Sequence, residues 1–284
     1  MTSLRPLKSN LVHELFVYTA DENYVTARWC AVNHLYADFC WLAVHALEKY
    51  MKAVLLVNGG SAKHFAHDIT KLYPEVRKIA SPLLPSKLRK SDNLDMHFWW
   101  NMSSEEFLGH IYMNGKAENR YMIFGYTVYG HDIYMLDQIV FAIRRLIAPL
   151  DEPIVRTRRP TANPISTYRE VLSRNAKYRP PTNGPLDKLI KTKEYNAVRF
   201  AALNLNYSFA PADFPHRPST DSISSQSAVI ARRVLIPLQS NEVEAVVQAL
   251  ELARWLLDHV YFSKAIAKAL ECEMEAARAR HGLR

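Results

Sequence analysis

The chain has 284 residues, of which 49% are hydrophobic and 23% charged, and its formal net charge is +8. This balance is typical of a globular protein with a hydrophobic core, and it excludes an intrinsically disordered chain, which requires low hydrophobicity. No run of about 18 apolar residues occurs and the N-terminus lacks an apolar signal core, so we expect neither a membrane-spanning helix nor a secretory signal. The three cysteines lack paired spacing, which predicts free thiols in a cytoplasmic protein.

The first half of the sequence predicts a series of helices. Asp21 suits the N-cap of the first helix, and Gly59 suits the left-handed residue that ends the second. Pro74 is expected to end the third helix, because proline cannot donate a backbone hydrogen bond within a helix. Ser103 and Glu106 have the spacing of a capping box at the start of the fifth helix. These patterns predict helices over residues 22–36, 39–58, 66–73, 75–81, 104–114 and 132–148.

A basic, proline-rich segment follows this half. Seven of the 15 prolines fall between residues 149 and 185, and residues 156–199 hold 11 basic and 3 acidic side chains. Because proline stops helices, residues 151–185 are expected to form a linker or an exposed arm. Its positive potential suits non-specific contact with phosphates, while a solubilising connector without a partner explains the same charge.

Residues 186–284 are predicted to form a second helical region, after a helical bundle at residues 12–150 and the linker. Residues 186–206 have the pattern of one helix. A periodic apolar pattern then continues from Asn241 to Gly282, which as a single helix would be about 60 Å long. A helix of that length either breaks or packs against a partner chain. The predicted fold class is all-α, with a long last helix.

Several segments of the first half resemble the HEPN domain family in their order and spacing. The longest is the run AVHALEKYMKAVLLVNG (Ala43–Gly59), which is followed by the triplet HDI at residues 67–69. Residues 24–28 (YVTAR) resemble the opening of the family's first helix, and residues 137–145 (DQIVFAIRR) resemble its closing helix. The resemblance covers about residues 15–150, roughly half of the chain.

The resemblance implies a bundle of four or five helices that associates as a homodimer and binds a nucleotide or RNA. Some members are ribonucleases of toxin–antitoxin or phage-defence systems, and these share an arginine followed about four to six residues later by a histidine that begins a late helix. Here no arginine stands at that distance before His131. The pairs Arg28–His34 and Arg254–His259 have the spacing by chance and lie on other helices. We therefore expect binding without nuclease activity, with no catalytic residue and no cofactor.

The polar face of the second predicted helix is the candidate binding site. Lys49 and Lys52 can place two ammonium groups on one phosphate, and the two arginines of the last helix can add bidentate donors. The candidate ligand-binding residues are His45, Lys49, Lys52, Arg144 and Arg145. A solvated helix face, in which Lys52 pairs with Glu48, explains the same stripe. Arg28 lies in an apolar helix and is expected to need an acid partner, for which Glu48 is a candidate.

A metal site is the alternative interpretation. Histidines at positions i and i+3 beside a carboxylate mimic the centre of helical HD phosphohydrolases, in which a metal ion activates water against a phosphate ester. The ligands would be His64, His67 and Asp68, joined by His34 or His45 and by Asp132 or Asp137. The start of a helix explains Asp68 equally well, since a carboxylate there accepts free backbone donors. A third interpretation is a protein whose only task is assembly through the long C-terminal helix.

Overall fold

Helices account for most of the structure. A computed structural model describes residues 5–154, 166–194, 196–218 and 221–283, and for Arg5 and Arg120 it describes the backbone alone. The predicted all-α class is confirmed, with one small two-stranded sheet in addition. Over the described ranges, every helix is too short or too polar to cross a membrane. The three cysteines are free thiols, as expected.

The chain divides into two compact units. The first comprises Met1–Lys116 with Val128–Ile223, and the second comprises Ala117–Thr127 with Ser224–Arg284. The helices of the first unit are α1 (Arg5–Val12), α2 (Thr19–Val32), α3 (Tyr36–Val57), α4 (Ile69–Ala80), α5 (Ser104–Asn114), α6 (Asp132–Arg144), α7 (Tyr168–Arg174), α8 (Pro185–Lys191) and α9 (Ala197–Leu203). Those of the second unit are α10 (Ile236–Leu238), α11 (Val243–His259) and α12 (Lys264–His281). Strands β1 (Gly125–Tyr129) and β2 (Ile223–Ser227) form the sheet.

Helix α3 is the centre of the first unit. Twelve of its 22 residues are buried, because its apolar side chains extend around most of the helix. A helix of this kind is stable only when other elements cover it. Helices α2, α4, α5 and α6 pack against it, which gives the predicted helical bundle.

Two predicted helix boundaries are wrong. Asp21 is not an N-cap, because it lies buried inside α2. A π-helical segment at His13–Tyr18 joins α1 to α2 without a break. Pro74 does not end a helix, since α4 continues through it. It stands in the second turn after the N-cap Asp68, where only the carbonyl of Thr70 loses its helical donor.

The described part of the predicted linker packs on the bundle. Helix α7 buries Leu172, while α8 and α9 pack on α2 and bury Leu186 and Ala202. The single helix predicted over residues 186–206 is therefore two short helices. Residues 155–165, which include three arginines of the predicted arm, lie outside the described residues. The first unit continues across the boundaries predicted at residues 150 and 185 as far as Ile223, and Ala117–Thr127 belongs to the second unit.

The periodic pattern at the C-terminus forms two helices rather than one. Helix α11 ends at His259 and α12 begins after Ser263, whose extended backbone (φ −60°, ψ 149°) separates the two. The apolar stripes of both helices cover each other in one hydrophobic cluster, which includes Val246 and Met274. These stripes therefore do not form one continuous 60 Å face, while Leu252 and Trp255 on α11 remain exposed. Assembly through the C-terminal region stays a prediction.

Gly115 is expected to tolerate no side chain, because the chain there passes closely over α3. An added Cβ would stand 2.5 Å from the carbonyl oxygen of Cys40 and 2.7 Å from Val44 Cγ2. Gly115→Ala should therefore lower the free energy of unfolding by about 1–3 kcal/mol, as measured by chemical denaturation. Gly109→Ala is the matched control within α5, where an added Cβ meets nothing within 4 Å, and it should be neutral or stabilising. Equal destabilisation by both variants would contradict this prediction.

Candidate functional site

The predicted stripe on α3 is occupied by internal contacts. Lys49 Nζ donates to Asn23 Oδ1 at 2.6 Å. Lys52 Nζ donates to Glu48 Oε1 at 2.6 Å and to the carbonyl of Ala66 at 2.7 Å. Both lysines are half-buried, and burial lowers the pKa of Lys49. The two ammonium groups are thus tied to the protein rather than presented together to a phosphate.

Arg144 and Arg145 do not join this stripe, because both side chains are buried. Arg144 donates from Nε and Nη2 to the carboxylate of Asp21, at 2.9 and 3.0 Å. Arg145 donates to backbone carbonyls, among them that of Leu172 at 2.7 Å. The structure therefore separates the five predicted ligand-binding residues into a half-buried stripe and two buried arginines that hold the fold.

Of the residues of the alternative metal site, the structure brings His45 and His67 together beside Glu48, whereas the others have separate contacts. Asp68 caps α4 by accepting from the backbone N–H groups of Thr70 and Lys71, as the sequence allowed. His64 is exposed, and His67 contacts Glu48 instead of Asp68. Of the further ligands that the sequence suggested, Asp132 accepts from His110, and Asp137 is bonded to Tyr24 and Arg28. The predicted HD-type centre is not assembled by the described residues.

Arg28 has an acid partner, but the partner is Asp137 rather than Glu48. Its guanidinium pairs with Asp137 through Nη1, donates from Nε to the carbonyl of Ala201 at 3.0 Å and from Nη2 to that of Asn204 at 2.5 Å. Tyr24 donates its hydroxyl to the same carboxylate at 2.6 Å. Arg28 therefore fixes α9 and the residues after it to α2 and α6.

A cleft of about 360 Å³ opens beside this ion pair. Arg28 and Asn204 line it, together with His34 from the turn between α2 and α3 and Tyr36 from the start of α3. Other residues that line it are Tyr129, Phe200, Arg217 and Ser222. The cleft is therefore built from segments that lie far apart in the sequence.

The cleft combines aromatic rings with positive charge. Arg217 is exposed, and its guanidinium stands 4.9 Å from the centroid of the Phe200 ring. No aspartate or glutamate lines the cleft among the described residues, and Arg217 forms no ion pair there. Since Asp137 balances the charge of Arg28, Arg217 is the source of net positive charge. An aromatic ring beside a guanidinium suits a planar, anionic ligand.

The loop that carries Arg217 is anchored by hydrogen bonds. Arg217 donates its backbone N–H to Asn204 Oδ1 at 2.7 Å, and Leu205 donates its backbone N–H to His216 Nδ1 at 2.9 Å. Burial lowers the pKa of His216, which favours the neutral imidazole that accepts this bond. The loop is thus held against the residues that follow α9, with Arg217 at the cleft.

Sequence reasoning missed this cleft for a physical reason. His34 enters the sequence predictions through its spacing from Arg28 and as an optional metal ligand, and Arg217 lies in a proline-rich loop without any periodic pattern. No local signal connects positions 34, 129 and 217, because tertiary packing alone brings them together.

Residues 13–98 match the family model described as HEPN domain. The match spans α2, α3 and α4, so the predicted family is confirmed for this part of the chain. The chain has no match among the curated proteins and none among the solved structures. Six of the residues that line the cleft, among them Arg28, His34 and Tyr36, lie in the matched segment, and the other ten lie outside it.

Proposed function

We propose that this protein, which contains a HEPN domain, binds a nucleotide or RNA in the cleft beside Arg28 and does not cleave it. The observation that carries this proposal is the exposed Arg217 guanidinium beside the Phe200 ring in a cleft that carboxylates do not line. The volume of about 360 Å³ lies at the lower end of the range for small-molecule sites and suits one nucleotide unit.

Aromatic rings and a guanidinium divide the recognition between base and phosphate. Phe200, Tyr36 and Tyr129 line the cleft, and stacking of a base on one aromatic ring is worth about 1–3 kcal/mol. Arg217 can donate two parallel hydrogen bonds to a phosphate. The exposed lysines of the basic segment, Lys188, Lys191 and Lys193, add attraction at longer range.

Binding without cleavage is supported by the state of Arg28. Its Nε, Nη1 and Nη2 atoms each donate to a protein oxygen, and the side chain is 1% exposed. Arg28 is therefore unavailable to stabilise charge on a reacting phosphate, although His34 lines the same cleft. We assign no catalytic role to either residue.

Arg217→Gln is expected to weaken the binding of a short fluorescein-labelled RNA by about tenfold, because it removes the one exposed guanidinium that lines the described cleft. Fluorescence anisotropy over a salt series measures both the affinity and the number of ionic contacts. The slope of log K against log salt should be less steep in the variant than in the wild type, by about one. Calorimetry with AMP then tests whether one nucleotide suffices.

Arg174→Gln is the matched control. It removes the same charge from an exposed arginine of α7, which does not line the cleft. We expect it to leave the affinity within about twofold, since one distant surface charge is largely screened. Equal losses in both variants would mean that binding is non-specific, and no binding even at low salt would refute the proposed function.

The predicted homodimer, cytoplasmic location and toxin–antitoxin or phage-defence setting stay predictions. Light scattering of the full chain gives its mass in solution and so tests the homodimer directly. Leu7, Leu11 and Leu15 recur at i, i+4 and i+8 near the N-terminus and are each more than half exposed.

A further inference from the structure

Two imidazoles and a carboxylate converge where the loop before α4 meets α3. His67 Nδ1 lies 3.0 Å from Glu48 Oε2, and His45 Nδ1 lies 3.6 Å from the same oxygen. One nitrogen from each histidine and one oxygen of Glu48 all lie within 4.8 Å of one another. We propose that His45, Glu48 and His67 bind a divalent transition-metal ion, with Zn²⁺ as the best-suited ion.

The geometry and the donor types fit zinc. Zinc binds histidine nitrogen and carboxylate oxygen at about 2.0–2.2 Å, so neighbouring ligand atoms of a tetrahedral ion are roughly 3.3–3.6 Å apart. The two distances to Glu48 Oε2, 3.0 and 3.6 Å, lie close to this separation. Two histidines and one glutamate leave a fourth position, and the His67 side chain is 76% exposed. That position is therefore open to water or to a small anion.

Glu48 is oriented for this role. Its side chain is only 6% exposed, and the Lys52 ammonium lies beside it. Lys52 donates to Oε1 at 2.6 Å, which leaves Oε2 directed at the two histidines. A donor on the other carboxylate oxygen fixes a metal ligand in this way.

The two histidines are positioned by separate contacts. Trp41 packs edge to face on His45, with ring centroids 4.2 Å apart, and limits the rotation of that imidazole. His67 follows Ala66, whose φ of +43° is unfavourable for a residue with a side chain. Lys52 holds the loop in this conformation through the carbonyl of Ala66 at 2.7 Å. A bound ion would add a direct link from this loop to α3.

The alternative explanation of the same contacts is a hydrogen-bonded cluster in which imidazole N–H groups donate to Glu48. The two explanations differ in their response to metal, because an ion needs a free nitrogen lone pair and must displace any proton there.

Calorimetric titration of the chelator-treated full chain with ZnCl₂ tests the proposal. We expect one Zn²⁺ per chain. Loss of a residue that only supports a metal ligand lowers the affinity roughly 10–100-fold, so His67→Ala, which removes a ligand itself, should lower the affinity for zinc by more than this. His45→Ala should have a similar effect. Because His67 is largely exposed, its variant should fold normally, and circular dichroism without metal verifies this.

His64→Ala is the matched control, since His64 is an exposed histidine in the same loop that lies outside the cluster. It should keep the wild-type affinity, and zinc should raise the unfolding temperature of this variant and of the wild type but not that of His67→Ala. If the His64 and His67 variants lost the same zinc affinity, the binding would be that of surface histidines and the proposal would be overturned. The absence of a saturable zinc site would overturn it as well. The cleft residues take no part in this titration, so its outcome is independent of RNA binding.

Discussion

Asp21→Asn is expected to lower the free energy of unfolding by about 3–5 kcal/mol, because it breaks a buried charge network. The Asp21 carboxylate is fully buried and accepts from Tyr50 Oη at 2.6 Å, from Arg144 at 2.9 and 3.0 Å, and from the backbone N–H of Leu186 at 3.0 Å. An amide offers a single acceptor oxygen and places N–H donors against the remaining donors. The guanidinium of Arg144 also loses the negative charge beside it.

The network is worth this much because it joins four helices. Asp21 lies on α2, Tyr50 on α3, Arg144 on α6 and Leu186 on α8. The fit is tight, since a Cβ added at Gly184 would collide with the Asp21 carboxylate. The variant should therefore loosen α8 as well as destabilise the bundle.

Urea unfolding followed by tryptophan fluorescence measures this effect in the first unit, which contains four of the five tryptophans. Asp213→Asn is the control, because Asp213 is exposed. Its effect should stay within about 0.5 kcal/mol. If Asp21→Asn lowered the free energy of unfolding by less than about 1 kcal/mol, the buried charges of Asp21 and Arg144 would not stabilise each other.

Local chemistry made part of the fold predictable from the sequence. The capping box of Ser103 and Glu106 is present, with both reciprocal hydrogen bonds. Gly59 adopts a φ of +81° after α3, and Asp68 caps α4. Each of these features is decided within four residues, so a sequence pattern contains the whole cause.

The buried charges could not be predicted in the same way. Arg144 and Arg145 lie off the apolar stripe of their helix, and a charged residue off the stripe is normally exposed. Here Asp187 and the carbonyls at and just after the end of α7 bind them, and those partners lie 27 to 43 residues further along the chain. The predicted binding stripe included the same two arginines, which the structure instead shows as buried contacts of the fold. The partner of Arg28 was misassigned for the same reason.

Acidification is expected to remove about 5 kcal/mol of stability between pH 4.5 and pH 2, mainly through Asp187 and Glu48. Burial alone would raise both pKa values. Arg144 and Thr182 lower the pKa of Asp187 from 3.8 to about 2, and the hydrogen bonds to His45, Lys52 and His67 lower that of Glu48 from 4.5 to about 2. Both side chains are about 95% buried, so solvent screens these interactions little.

The direction follows from proton linkage. A carboxyl whose pKa is lower in the folded chain than in the unfolded chain stabilises the fold fully above the unfolded value. That contribution disappears as the pH falls through the folded value, because the unfolded chain takes up its protons first. The contributions are about 2 kcal/mol for Asp187 and about 3 kcal/mol for Glu48.

Urea unfolding at intervals from pH 6 to pH 2 tests this prediction in the wild type and in Asp187→Asn and Glu48→Gln. Each variant should be less stable than the wild type at pH 6 and should lose less stability on acidification, so that the curves approach one another near pH 2. Asp213→Asn should follow the wild-type curve, because Asp213 is exposed. If the two buried variants keep the wild-type slope, carboxyls other than Asp187 and Glu48 cause the acid sensitivity, and the ion pairs around them are weaker than their geometry indicates.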